Sequence, residues 1–150
     1  MQSANIYQLR DRYFVHPLRK TAAGVWLASP EYVSIPLAAL DKELGAAVLV
    51  ALPQSKGVVP HPTSWIGLSK QRLQAAGAMS EKAFMSDARL VSITCADLIQ
   101  LEPNVNKGAR GPENGFSPIH HRSSSLSLDA SAENLGAAIR QCFGACTSAL

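Results

Sequence analysis

Apolar and polar residues alternate along several short runs of the sequence, which is the pattern of strands with one buried face. The runs are rich in β-branched and aromatic residues, and prolines or turn residues separate them. Seven segments are predicted as strands: 12–16, 24–28, 32–35, 89–95, 97–103, 116–120 and 123–128. Between segments 97–103 and 116–120, residues 104–115 contain three Gly, three Asn and one Pro, so this segment is predicted as an irregular loop.

Apolar residues at helical spacing indicate helices elsewhere in the chain. Helices are predicted from Asp41 to Pro53, from Ser69 to Gly77, from Ser80 to Ser86 and from Ser131 to Gly144, each with a capping residue at its start. The predicted fold is α+β, or mixed α/β. It is a single domain of residues 1–150, a mainly antiparallel sheet of five to six strands with three to four helices packed against it. Residues 1–10 are predicted as a disordered tail.

The composition is that of an ordinary globular domain, with 47% hydrophobic and 17% charged residues in 150. The longest apolar run covers residues 44–52, which is far short of the roughly 20 residues needed to span a bilayer. The N-terminus has no apolar core of the kind that a secretory signal requires. We therefore expect a cytoplasmic protein without membrane contact.

Local signatures of catalysis are absent from the sequence. There is no phosphate-binding loop, dinucleotide fingerprint or nucleophile elbow. His120 and His121 are neighbours on a predicted strand, so their rings would point to opposite faces and not converge on one metal. Cys142 and Cys146 share a predicted helix face and are interpreted as small core residues. We expect no enzymatic activity, no catalytic residues, no cofactor and no metal.

The net charge of +3 and the pI near 8.9 leave one alternative open, a small nucleic-acid-binding or regulatory module. However, the basic residues are scattered, and only 6% of the chain is aromatic, whereas nucleic-acid-binding surfaces usually concentrate both. Salt would separate the two readings, because nucleic-acid binding weakens steeply with salt. No direct nucleic-acid contact is expected.

Four segments resemble one known family in their order and spacing: 13–29, 57–65, 68–77 and 133–139. The most specific elements are Thr21-x-x-Gly24-Val25-Trp26 and His61-Pro62-Thr63-x-Trp65, which we interpret as fold-defining positions. In these segments the chain resembles the immunity proteins of bacterial contact-dependent growth inhibition systems, the CdiI-type proteins.

This resemblance implies a cytoplasmic antitoxin that binds a cognate toxin domain, the C-terminal region of a large secreted effector protein. Many toxins of such systems are nucleases, often acting on transfer RNA. The immunity protein would block the active site or the substrate path and catalyse nothing itself. Contact residues differ between family members because each fits its own toxin, so the resemblance assigns none.

The toxin-binding residues are instead predicted from the polar segment 104–122. Charged and aromatic loop residues on a rigid sheet are a common arrangement for recognition. The hypothesis names six residues: Lys107, Arg110, Glu113, His120, His121 and Arg122. The alternative is a surface loop without a partner.

Overall fold

A computed structural model describes residues 1–150. Ten strands form a sheet: β1 Gln2–Gln8, β2 Arg12–Thr21, β3 Trp26–Ala28, β4 Val33–Pro36, β5 Val58–Val59, β6 Arg89–Cys95, β7 Ile99–Asn106, β8 Phe116–Pro118, β9 Ser124–Leu126 and β10 Thr147–Ser148. Four α-helices accompany it: α1 Asp41–Ala51, α2 Ile66–Ala76, α3 Glu81–Asp87 and α4 Ala132–Phe143. Two 3₁₀ turns cover Leu52–Ser55 and His120–Arg122. The predicted α+β fold with a mainly antiparallel sheet is confirmed.

The main path of the sheet runs β10-β7-β6-β1-β2-β3. The short strands β4 and β5 pair with β2, whereas β8 and β9 pair with β7. Every pairing is antiparallel except β5 with β2 and β10 with β7. The two long strands β2 and β7 therefore each pair with four other strands.

The expected disordered tail at residues 1–10 is wrong, because this segment supplies β1 in the middle of the sheet. β1 pairs with β2 on one side and with β6 on the other, so its backbone groups are bonded in both directions. Ala4 and Ile6 are fully buried under the helices. Residues 2–8 contain few large apolar residues, so the sequence pattern did not indicate a buried strand at this terminus.

Other boundaries also move. β2 continues through Pro17 to Thr21, because the proline lies opposite Ala4 and its carbonyl accepts from the Ser29 N–H at 2.9 Å. The predicted irregular loop from 104 begins as the end of β7, and only the segment after Asn106 forms a turn. The caps predicted at Ser80 and Ser131 are confirmed, since each hydroxyl accepts a backbone N–H. Those predicted at Asp41 and Ser69 are wrong, because Asp41 is the first residue of α1 and Ser69 lies inside α2.

One face of the sheet carries the larger core, where α1 and α4 pack together on the inward residues of β1, β2, β6 and β7. Two glycines permit the close approach of these helices. A Cβ on Gly45 would collide with the Ala132 carbonyl, and a Cβ on Gly136 with the Asp41 carbonyl. Arg140 of α4 closes the contact by pairing with Asp41 at 2.8 Å. We call this the helix face of the sheet.

Candidate functional site

The opposite face of the sheet is polar over much of its area. The register places Asn5 opposite Ser92, Ser92 opposite Glu102, and Thr94 opposite Gln100, so these side chains share one surface. Gln100 is exposed and the others are half-buried. We call this surface the polar face. α2 and α3 cover the part of it around Tyr7 and Leu90.

A buried histidine lies under the covered part of the polar face. His16 is 1% exposed and is surrounded by the rings of Tyr7, Phe14 and Tyr32, with centroids 5.5 to 6.2 Å away. Its Nδ1 lies 2.9 Å from the Pro17 carbonyl oxygen, whereas Nε2 has no hydrogen-bond partner. Burial lowers the pKa of His16 to about 4, so the ring is neutral near pH 7.

Three of the six predicted residues lie on the turn between β7 and β8. Lys107 begins this turn, and its N–H donates to the Gly115 carbonyl at 2.8 Å, which closes the loop at its base. Its ammonium lies 4.0 Å from the Glu113 carboxylate, a long pair between a partly buried lysine and an exposed glutamate. Arg110 is exposed and forms no ion pair. This turn is therefore an ordered projection with one unpaired guanidinium.

The other three predicted residues lie on the 3₁₀ turn between β8 and β9, so the expectation that His120 and His121 lie on a strand is wrong. The turn is anchored to β7, because the Ile119 N–H donates to the Pro103 carbonyl at 2.8 Å. His120 Nδ1 lies 2.8 Å from Glu102 Oε2, and Arg122 donates to the Ala145 carbonyl at 3.3 Å. His121 is exposed and free.

The structure therefore divides the six predicted residues into two groups. Glu102 holds the His120 turn, while Lys107 starts the other turn five residues later, roughly 16 Å further along an extended strand. Both groups border β7, the strand that carries one edge of the polar face. The two groups of residues are therefore neighbours along β7 and do not form a single cluster.

A pocket of about 350 Å³ adds residues that sequence reasoning missed. Lys107 and Arg110 line it together with Lys82 of α3, and Met85 and Leu150 supply apolar walls. Three cations around apolar walls suit a carboxylate carried on an apolar stem. Lys82 lies 25 residues before Lys107 in the sequence, and no local pattern signals that α3 meets this turn.

Metal binding and thiol chemistry each require a particular arrangement of ionisable groups. No three His, Cys, Asp or Glu side chains are placed to hold a metal ion. Burial raises the pKa of the Cys142 thiol to about 12, which keeps it protonated and unreactive. Cys146 lies beyond the end of α4, so the predicted shared helix face of the two cysteines is wrong. None of the helices combines the length and apolar character that crossing a membrane requires.

Among known proteins, the chain is similar to solved structures and not to any family model or curated sequence, so the comparison shows its fold. No protein-family model matches the chain, and no curated protein matches its sequence. The α+β fold described above does recur among solved structures. One is a protein of unknown function from Neisseria meningitidis, with a TM-score of 0.76, 17% identity, and coverage of 97% of this chain and 94% of that one.

A second structure with this fold is a chain of the CdiA-CT/CdiI toxin and immunity complex from Yersinia pseudotuberculosis. It matches with a TM-score of 0.76 and 19% identity, over 97% of each chain. The resemblance to CdiI-type immunity proteins, predicted from sequence segments, is therefore confirmed at the level of the fold.

Proposed function

We propose that this protein is an immunity protein, which binds and neutralises the cognate C-terminal toxin domain of a contact-dependent growth inhibition system. The observation that carries the proposal is the fold shared with a chain of a CdiA-CT/CdiI toxin and immunity complex over 97% of both chains. The protein acts in the cytoplasm by binding and performs no catalysis. Its toxin is a nuclease, such as one acting on transfer RNA, whose active site or substrate path becomes covered.

The contact region within this proposal is the rim formed by the two turns beside β7. Its charged side chains stand on two turns that are anchored by backbone hydrogen bonds, and β7 beside them is fixed within the sheet, so little freedom is lost when a partner binds. The pocket between Lys82, Lys107 and Arg110 receives an acidic side chain of the toxin. His121 and Arg122 contribute from the second turn.

Survival in co-expression tests the function. The gene immediately upstream is the first place to seek the cognate toxin domain. Cells that produce this toxin domain should die without this protein and survive with it. Unchanged killing in its presence, with both proteins produced and soluble, would contradict the proposal.

Charge reversal tests the contact region separately. Lys107→Glu with Arg110→Glu should weaken toxin binding at least tenfold in calorimetry, because the pocket would then repel an acidic side chain. Lys42→Glu is the matched control, an exposed lysine in the first turn of α1. Equal affinity for wild type and both variants would show that the toxin docks elsewhere while leaving the immunity function intact.

A further inference from the structure

The two motifs that carried the family resemblance meet on one surface at the far end of β2. Thr21, the buried first residue of one motif, makes the contact with the other. Its hydroxyl accepts the Val25 N–H at 3.1 Å and lies 3.3 Å from His61 Nδ1. The His61 ring in turn contacts Trp65, with centroids 5.6 Å apart at 80°. Segments 40 residues apart in sequence thus form one continuous structure.

This region exposes an unusual amount of apolar area, so its interpretation as purely fold-defining does not account for it. Four of the twelve large apolar side chains that are strongly exposed belong to it: Val25 at 41%, Val58 at 70%, Trp65 at 49% and Ile66 at 69%. Clustered exposed apolar residues on a small protein mark an interaction site more often than single ones do. We call these four residues the Trp65 surface.

Positive charge surrounds the Trp65 surface. Lys20 lies opposite Val58 in the sheet, and its ammonium lies 5.4 Å from the Trp26 ring centroid. Lys70 follows Ile66 by one helical turn, and Lys56 precedes β5. None of these three lysines forms an ion pair, and the sequence holds no Asp or Glu between Glu43 and Glu81.

We propose that the Trp65 surface is a second docking site for the toxin domain, which presents there an apolar side chain ringed by carboxylates. This inference rests on the proposed function. Charge complementarity selects an acidic partner, because two copies of this chain would bring their unpaired lysines together. A protein partner is favoured over nucleic acid by the exposed aliphatic side chains of Val58, Val25 and Ile66. Nucleic acid binds instead through stacked aromatic side chains and a denser array of cations. Tryptophan, here Trp65, is among the residue types most enriched in binding hot spots.

The chain contains only two tryptophans, and both lie in this region, so they report on it directly. The protein labelled with 5-fluorotryptophan should give two ¹⁹F resonances, which Trp26→Phe and Trp65→Phe assign. Adding the unlabelled toxin domain should shift the Trp65 resonance. In calorimetry, Trp65→Ala combined with Ile66→Ser should weaken binding about 30-fold. The matched control Val50→Ser, an equally exposed apolar residue on α1, should leave the affinity unchanged.

The outcomes separate the two proposals. If wild type does not bind the toxin domain at all, the immunity function fails and the docking site fails with it. If wild type binds, but neither resonance shifts and the double variant binds equally well, only the docking site is overturned. A Trp65 shift produced by single-stranded RNA and lost at high salt, or by raising the protein's own concentration, would also overturn it. The thermal midpoint of the double variant verifies that the fold is retained.

Discussion

The helix face and the polar face of the sheet are packed differently. On the helix face, two glycines allow α1 and α4 to approach closely, and the enclosed residues are almost all apolar. On the polar face, the buried residues include His16, Asn104 and Asn106, and the helices leave part of the sheet open. The comparison teaches that the larger apolar core and the tightest helix contact lie on one side, whereas the other side combines a smaller apolar cluster with buried polar groups.

The largest effect is expected where the helix face is tightest. Gly136→Ala should lower the free energy of unfolding by about 3 kcal/mol, because the new methyl group would overlap the Asp41 carbonyl. Gly67→Ala in α2 is the control, since nothing lies within 4 Å of its Cβ position. That variant should be stabilised by about 0.5 kcal/mol, as alanine favours helix. Similar urea midpoints for the two variants would contradict the close helix contact.

The buried histidine should make the polar face sensitive to acid. Its pKa is about 4 in the folded state and about 6.5 when unfolded, so the unfolded chain binds more protons between these values. Stability should therefore be complete above pH 6.5 and fall by about 2 kcal/mol towards pH 4.5. His16→Phe should flatten this dependence, whereas His121→Gln should not. An identical pH slope in all three proteins would show that His16 is not buried and neutral.

The buried asparagines should contribute somewhat less. Asn106 donates to the Met85 and Ala88 carbonyls at 2.7 and 2.8 Å, and its Oδ1 accepts the Gly108 N–H at 2.9 Å. Asn106→Ala would leave these buried groups unpaired, at a cost of about 1.5 kcal/mol. The exposed Asn114→Ala should change stability by less than about 0.5 kcal/mol. Equal unfolding midpoints would mean that Asn106 does not hold α3 to β7.

The smallest effect on stability is expected at the proposed rim. Lys107→Met and Glu113→Gln should each change the free energy of unfolding by less than about 0.5 kcal/mol, because their ion pair is long and its glutamate is exposed. If either variant loses much more, the turn is structural, and a change in toxin binding could not be assigned to direct contact.

The two helices of the helix face could be predicted from the sequence because their signals are local, whereas β1 beneath them was missed. Periodic apolar residues indicated α1 and α4, and Ser131 marked the start of α4 correctly. The polar face could not be predicted, because the burial of His16, Asn104 and Asn106 depends on partners far along the chain. Asn106, for example, is ordered by carbonyls of Met85 and Ala88, so a run of Asn and Gly looked like a loop.

The candidate sites follow the same rule. Charge and exposure indicated Lys107, Arg110 and Arg122, but composition could not show that Glu102 holds His120 or that Lys82 joins the pocket. The Trp65 surface was visible in the sequence only as two motifs. Their meeting at Thr21 depends on the parallel pairing of β5 with β2, which is a long-range contact.

The most direct test of the central claim is a calorimetric titration of this protein with the toxin domain encoded beside it, paired with an assay of toxin activity. The account predicts a complex of defined stoichiometry in which the toxin loses its activity as binding sites fill. No heat of binding and an undiminished toxin, at concentrations where both proteins are folded, would contradict it.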